Sequence, residues 1–177
     1  MERVVVIGTS CSGKTTLARR VAEAVGSTHV ELDAIHWGPG WTEMPIDEFR
    51  EAVLRGINRE RWVVDGNYGK VRDIIWSEAT DVIWLNYSFR VVFGRALART
   101  FHRVFTKQKL YNENRESFRN AFLSRDSILW WIITTFRRRR REYRALLGGD
   151  AFPHLSLTEL RRPRDAEQLV RSLRGVA

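Results

Sequence analysis

The sequence predicts an α/β protein: a five-stranded parallel sheet with helices on both faces. Two observations carry this. Five short, mostly apolar runs, at residues 3–7, 28–32, 62–64, 81–85 and 152–157, alternate with segments of helical periodicity. Strands separated by helices are joined by crossovers and pair in parallel. The first run, Arg-Val-Val-Val-Ile, is apolar on both faces, as a strand covered on both sides must be.

The elements follow in order. Residues 8–13 form a loop, and 14–25 a helix with Leu17, Val21 and Val25 on one face, stopped at Gly26. The second strand, 28–32, ends at Asp33. Residues 36–45 are rich in turn formers, with Trp37 and Trp41 flanking Gly38-Pro39-Gly40. A helix is expected over 46–58, where Phe49, Val53 and Ile57 share a face. The third strand, 62–64, runs into Asp65-Gly66. A short helix at 73–78 precedes the fourth strand, 81–85. Residues 89–105 read as a basic amphipathic helix, and 106–125 are polar and unassigned. Asp126 is placed to cap a long helix reaching Leu147, with Gly148-Gly149 ending it. The fifth strand, 152–157, and a closing helix, 165–173, complete the chain.

A chain of 177 residues suits one domain with a real core. With 44% hydrophobic and 29% charged residues, the class is soluble globular. The first strand begins at once, without a basic leader or cleavage site, so no signal peptide is expected. The longest apolar stretch, residues 128–136, is too short to cross a bilayer. A lone cysteine, Cys11, excludes an intramolecular disulfide and suits a reducing compartment. A cytoplasmic location with no membrane partner is the expectation. The net charge of +9 is concentrated: residues 90–144 carry 15 Lys and Arg against four acids, a net +11, and the remainder sums to −2. Such a block attracts polyanions, whether nucleotide phosphates or nucleic acid.

Gly8-Thr9-Ser10-Cys11-Ser12-Gly13-Lys14-Thr15, followed by Thr16, matches G-x-x-x-x-G-K-[ST]. Glycines let backbone N–H groups wrap phosphates without a clashing Cβ, and the helix that follows presents its positive end to them. Lys14 is placed to reach the β- and γ-phosphates, and the Thr15 hydroxyl to ligate Mg²⁺. The motif sits between an apolar strand and an amphipathic helix, as a P-loop must. ATP and Mg²⁺ are therefore the expected cofactors, with residues 8–16 as the cradle. Cys11 occupies a variable position of the loop and reads as a tolerated small residue.

Asp65 ends the third strand, where a carboxylate can hold Mg²⁺ directly or through water; it can equally form an Asp-Gly turn. Asp33 ends the second strand, where it could orient or deprotonate an attacking hydroxyl, or simply cap the next turn. His36 could serve instead, though a loop histidine is usually solvated. Trp37 and Trp41 could stack a base or sugar or plug the core edge. Arg95 and Arg99 share a helix face, and Arg137–Arg141 form a run of five. Arginines here, with Arg95, Arg99, Arg137 and Arg141 the candidates, could clamp a transferring phosphoryl group. A solvated or nucleic-acid-binding face is the competing reading of the run.

Taken together, the P-loop, Glu31-Leu32-Asp33, the Trp37–Trp41 segment, Val64-Asp65-Gly66-Asn67-Tyr68 and the Phe136–Arg141 run resemble the adenylate kinase-like P-loop kinases. The nearest likeness is to a bacterial group known as DNA topology modulation proteins and adenylate kinase-related kinases. The resemblance covers most of the chain. It implies a three-layer P-loop NTPase fold with a helical lid, here a basic region at about 100–145, within a single domain. Asp65-Gly66 resembles the strand-three Asp-Gly of adenylate kinases, and Arg95 and Arg99 their paired arginines after strand four. Where adenylate kinases carry an AMP-gripping arginine after strand two, this chain reads Asp33-Ala34-Ile35-His36-Trp37. An Asp there is similar to kinases that phosphorylate hydroxyls, including shikimate, gluconate and polynucleotide 5′-hydroxyl kinases. The expectation is an ATP- and Mg²⁺-dependent phosphotransferase acting on a nucleotide or small hydroxylated acceptor. The alternative is a nucleic-acid-associated NTPase with a regulatory or DNA-topology-related role.

Overall fold

The computed structural model describes residues 1–106 and 127–175; Asp126 and much of the expected lid lie outside them. Five strands, β1 (Arg3–Gly8), β2 (Thr28–Glu31), β3 (Trp62–Asp65), β4 (Asp81–Leu85) and β5 (Ser156–Leu160), form one sheet in the order β2-β3-β1-β4-β5. Every pairing is parallel. Among the described residues seven α-helices flank the sheet: α1 (Lys14–Val25), α2 (Leu32–His36), α3 (Ile46–Ile57), α4 (Arg72–Glu78), α5 (Phe89–Thr106), α6 (Ile128–Gly148) and α7 (Pro163–Arg174).

Alternation along β1 builds two cores. Val4 and Val6 join one with Leu17 and Val21 of α1, Val92 and Ala96 of α5, and Val170 of α7. Val5 and Ile7 join the other with Phe49 and Val53 of α3 and Ile75 of α4. These four β1 side chains are at most 2% exposed. Each contributes roughly 1.5–3 kcal/mol relative to exposure.

α6 belongs to both layers. Ile132 and Phe136 pack in the α1 core, whereas Tyr143 packs in the α3 core. The arginine run lies between these anchors, so it passes from one layer to the other. Ser127 starts the helix, its side chain accepting the Trp130 N–H at 3.2 Å.

Two expected boundaries shift. β2 stops at Glu31 because Leu32–His36 coil into α2, which places Asp33 on a helical turn. β5 starts four residues later than expected. Phe152 and Leu155 instead pack at the edge of the α3 core, with Phe152 edge-on to Trp76 at 5.1 Å. No helix of the described residues is long and apolar enough to cross a membrane.

β1 is paired with β3 on one side and β4 on the other. In open parallel sheets, ligands sit beyond the carboxyl ends of the strands where the order diverges in this way. Gly8, Glu31 and Asp65 all reach that edge, Asp65 in register with Val6 and Glu31.

Candidate active site

The loop after β1 is built to surround an anion. Gly8, Cys11 and Gly13 have φ of 156°, 62° and 96°, and such turns point successive N–H groups inward. A Cβ on Gly8 would lie 2.8 Å from Ser12 Oγ and 2.9 Å from Leu85 Cβ, and one on Gly13 would lie 3.1 Å from Arg95 Nη1. The first turn of α1 has no acidic residue and no side-chain cap, so its N–H groups remain for a ligand. Ser12 Oγ is buried without a partner. Thr9 and Ser12 are buried, Ser10 is half-buried, and Thr16 is exposed on the first turn.

Lys14 donates to the Thr9 carbonyl at 3.4 Å. Its side chain keeps some contact with solvent, yet burial pushes the ammonium below the ordinary lysine range. Asp33 and Asp65 pull it back up, and Arg139 adds to the push downward. Lys14 thus stands within electrostatic reach of both candidate acids and of one arginine of the run.

Asp65 is 3% exposed and held from two sides. The Thr15 hydroxyl donates to Oδ2 at 2.6 Å, and His29 Nε2 lies 2.8 Å from Oδ1. A hydroxyl that gives its proton to Asp65 keeps its lone pairs for a cation. Thr15 and Asp65 are hard oxygen donors beside a phosphate-shaped loop, and they fit Mg²⁺, which binds through one or two protein oxygens plus substrate phosphates. No cluster of three metal-ligating side chains exists among the described residues.

Asp33 is half-buried on α2 and accepts the Tyr68 hydroxyl at 2.6 Å. Tyr68 follows Asn67, whose side chain engages Gly8 twice: Oδ1 accepts the Gly8 N–H at 3.4 Å, and Nδ2 donates to the Gly8 carbonyl at 2.5 Å. His36, expected to be solvated, is 5% exposed and packed against Trp37, Phe49 and Tyr68, with ring centroids 4.6–4.9 Å apart. Trp37 and Trp41 meet edge-on at 5.8 Å, and Trp41 remains 40% exposed.

The arginines divide. Arg95 donates to the Ser12 carbonyl at 2.6 Å and stands over the Tyr87 ring at 5.2 Å. Arg99, one turn on, is exposed. Arg137 and Arg141 are exposed too, with Arg141 Nε donating to the Arg137 carbonyl of its own helix at 3.4 Å. Arg139 and Arg140 turn inward, each with a buried Nε lacking a partner. Arg139 is the one whose charge acts on Lys14 and Tyr143. Beside the loop, a cavity of about 420 Å³ is lined by Ser12, Gly13, Thr16, Tyr87, Arg95 and Pro163, among others.

Sequence reasoning missed His29, Tyr68 and Asn67 as site groups; of the run it selected Arg137 and Arg141, which are exposed, whereas Arg139 and Arg140 turn inward. Tyr68 and Asn67 stood in the motif that carried the resemblance. For His29 the one available signal was strand alternation, which puts it on the same face of β2 as Glu31.

No protein-family model matches the chain, and no curated protein does. Among solved structures, it is similar to a gluconokinase from Sinorhizobium meliloti 1021, at 20% identity and a TM-score of 0.55, over 98% of this chain and 90% of that one. It is similar to shikimate kinase from Bacteroides thetaiotaomicron, at 15% identity and a TM-score of 0.58, over 99% and 97% of the two chains. Shikimate kinase from Acinetobacter baumannii, in complex with shikimate, matches at 14% identity and a TM-score of 0.58, over 99% and 92%. At these identities the likeness is one of fold. The chain shares the three-layer fold of these structures, a five-stranded parallel sheet with helices on both faces.

Proposed function

We propose that this protein is a Mg²⁺- and ATP-dependent kinase that phosphorylates a hydroxyl group of a small molecule. The observation that carries the reading is the position of Asp33. It is held by Tyr68 and lies close enough to Lys14 for its charge to act on the ammonium. Lys14 thereby links the phosphate cradle to a carboxylate placed for an acceptor. The gluconokinase and shikimate kinase likenesses support the same class. The motifs shared with the topology-modulation group are part of this reading.

In this mechanism the nucleotide lies across the loop, with its base and sugar in the cavity beside Tyr87 and Arg95. Tyr68 fixes one Asp33 oxygen, and the other receives the acceptor hydroxyl. Asp33 takes the proton as the acceptor oxygen bonds to the γ-phosphorus, and the bond to the β-bridging oxygen breaks to release ADP. Lys14 and Arg139 counter the charge on the transferring group. Magnesium, when bound at Thr15 and Asp65, would neutralise phosphate charge during transfer.

The test is a panel of hydroxylated metabolites and nucleosides scored by ADP release, with Asp33→Asn beside the wild type. ADP release stimulated by one acceptor and lost in the variant is expected. Acceptor-stimulated turnover that is the same in Asp33→Asn would refute the assignment.

A further inference from the structure

We infer that His29 is a positioning residue for the magnesium site, acting through Asp65. The inference rests on the Mg²⁺–ATP reading above and extends it to a residue two strands from the P-loop.

The geometry is specific. β2 and β3 pair so that His29 lies opposite Val63 and Glu31 opposite Asp65. Trp62 and Val64 fill the α3 core and Val63 the α1 core. Alternation therefore turns His29 and Asp65 to the α1 face, where Thr15 starts its helix. The ring nitrogen Nε2 is 2.8 Å from Asp65 Oδ1, and Thr15 Oγ1 is 2.6 Å from Oδ2. Asp65 is nearly fully buried and His29 is 19% exposed.

A buried carboxylate without partners either rotates or is desolvated at a cost. Here the two oxygens have separate duties. An imidazole donating from Nε2 to Oδ1 satisfies that oxygen and fixes the carboxylate plane. Oδ2 is then presented to Thr15 and to whatever Thr15 holds. Partners that orient a metal-binding carboxylate typically change metal affinity about 10–100-fold when removed. A simple strand-packing role for His29 needs no N–H at this point; the positioning role does.

The test compares the wild type with His29→Leu and His29→Gln. Leucine keeps the volume and removes the donor, whereas glutamine can place an amide N–H where Nε2 stands. Displacement of a fluorescent ATP analogue by ATP is measured with excess EDTA and across a Mg²⁺ titration, and turnover is followed over the same titration. The expected result is a wild type whose Mg²⁺ midpoint is raised tenfold or more by His29→Leu and brought back to within about threefold by His29→Gln. Affinity in EDTA should be alike in all three. A His29→Leu midpoint equal to wild type overturns the inference and leaves the kinase reading intact. Equal loss in both variants, with affinity in EDTA lost as well, assigns His29 to packing and also overturns it. A wild type with no Mg²⁺-dependent gain in binding or turnover overturns both readings.

Discussion

The Tyr68 hydroxyl donates to Asp33 Oδ1 at 2.6 Å, tying the segment after β3 to the first turn of α2. A phenol in this position keeps the carboxylate aimed. Tyr68→Phe removes one hydrogen bond to a charged group and is expected to lower acceptor phosphorylation about tenfold or more. Asp33→Asn should lower it about 10²-fold or more. Nucleotide binding should change little in either variant. Titration with ATP in the absence of acceptor checks this; a matching loss of ATP affinity would place Asp33 on the nucleotide side.

Lys14→Ala should abolish turnover, by roughly 10²-fold or more, in a protein that remains folded. Near-wild-type ADP release in this variant would remove the P-loop assignment.

The same lysine makes a stability prediction. Burial lowers its pKa from the ordinary 10.5, so the folded chain releases the proton at a lower pH than the unfolded chain does. The cost of holding the charge is therefore complete below the lowered pKa and is relieved as pH rises from it toward 10.5. Lys14→Met should melt at a higher temperature than wild type near pH 7, with the gap narrowing toward pH 10.5. Thermal scans at several pH values decide it; a wild type that is the more stable at pH 7 goes against this account.

Arg139 and its neighbours in the run separate phosphoryl chemistry from diffuse counter-charge. Arg139→Ala is expected to lower turnover tenfold or more, and Arg137→Ala and Arg141→Ala to stay within about threefold. If the run instead serves nucleic acid, each substitution reduces the salt slope of binding by about one unit, inward and outward arginines alike. Binding measured across a salt series alongside turnover tells the two apart.

Cys11 sits at φ 62° in the cradle, a region that costs a residue with a Cβ roughly 1–2 kcal/mol. Cys11→Gly should retain ATP affinity. Cys11→Val, with a branched Cβ, should weaken it tenfold or more while the thermal midpoint moves little. Equal affinities for the two variants would mean that the loop does not need this conformation.

The sheet was legible because β1, β3 and β4 are apolar on consecutive residues and the helices between them repeat at 3–4. Legibility failed where apolar residues had other work, as at Phe152, which covers Trp76. For the site, the loop motif located Lys14, Thr15 and the carboxylate ends of two strands. It could not say which arginines of a consecutive run face inward, since successive residues on a helix point around it. That choice depends on Phe136 and Tyr143 anchoring α6 in opposite cores. Nor could it show that a histidine early in β2 meets an aspartate late in β3, a contact set by strand register alone.

The double hydrogen bond between Asn67 and Gly8 constrains what mutation can leave behind. The side chain must offer one acceptor and one donor, at the reach of a single methylene. Aspartate would turn a second acceptor toward the Gly8 carbonyl, and glutamine would carry its amide one carbon too far. Alanine at position 8 is blocked from within by Ser12 and Leu85. In a saturation screen selecting for ATP binding, these two positions should each accept a single residue, while exposed Arg99 tolerates many. Substitution tolerance alone would thus trace the junction of β1 and β3 without any nucleotide being seen.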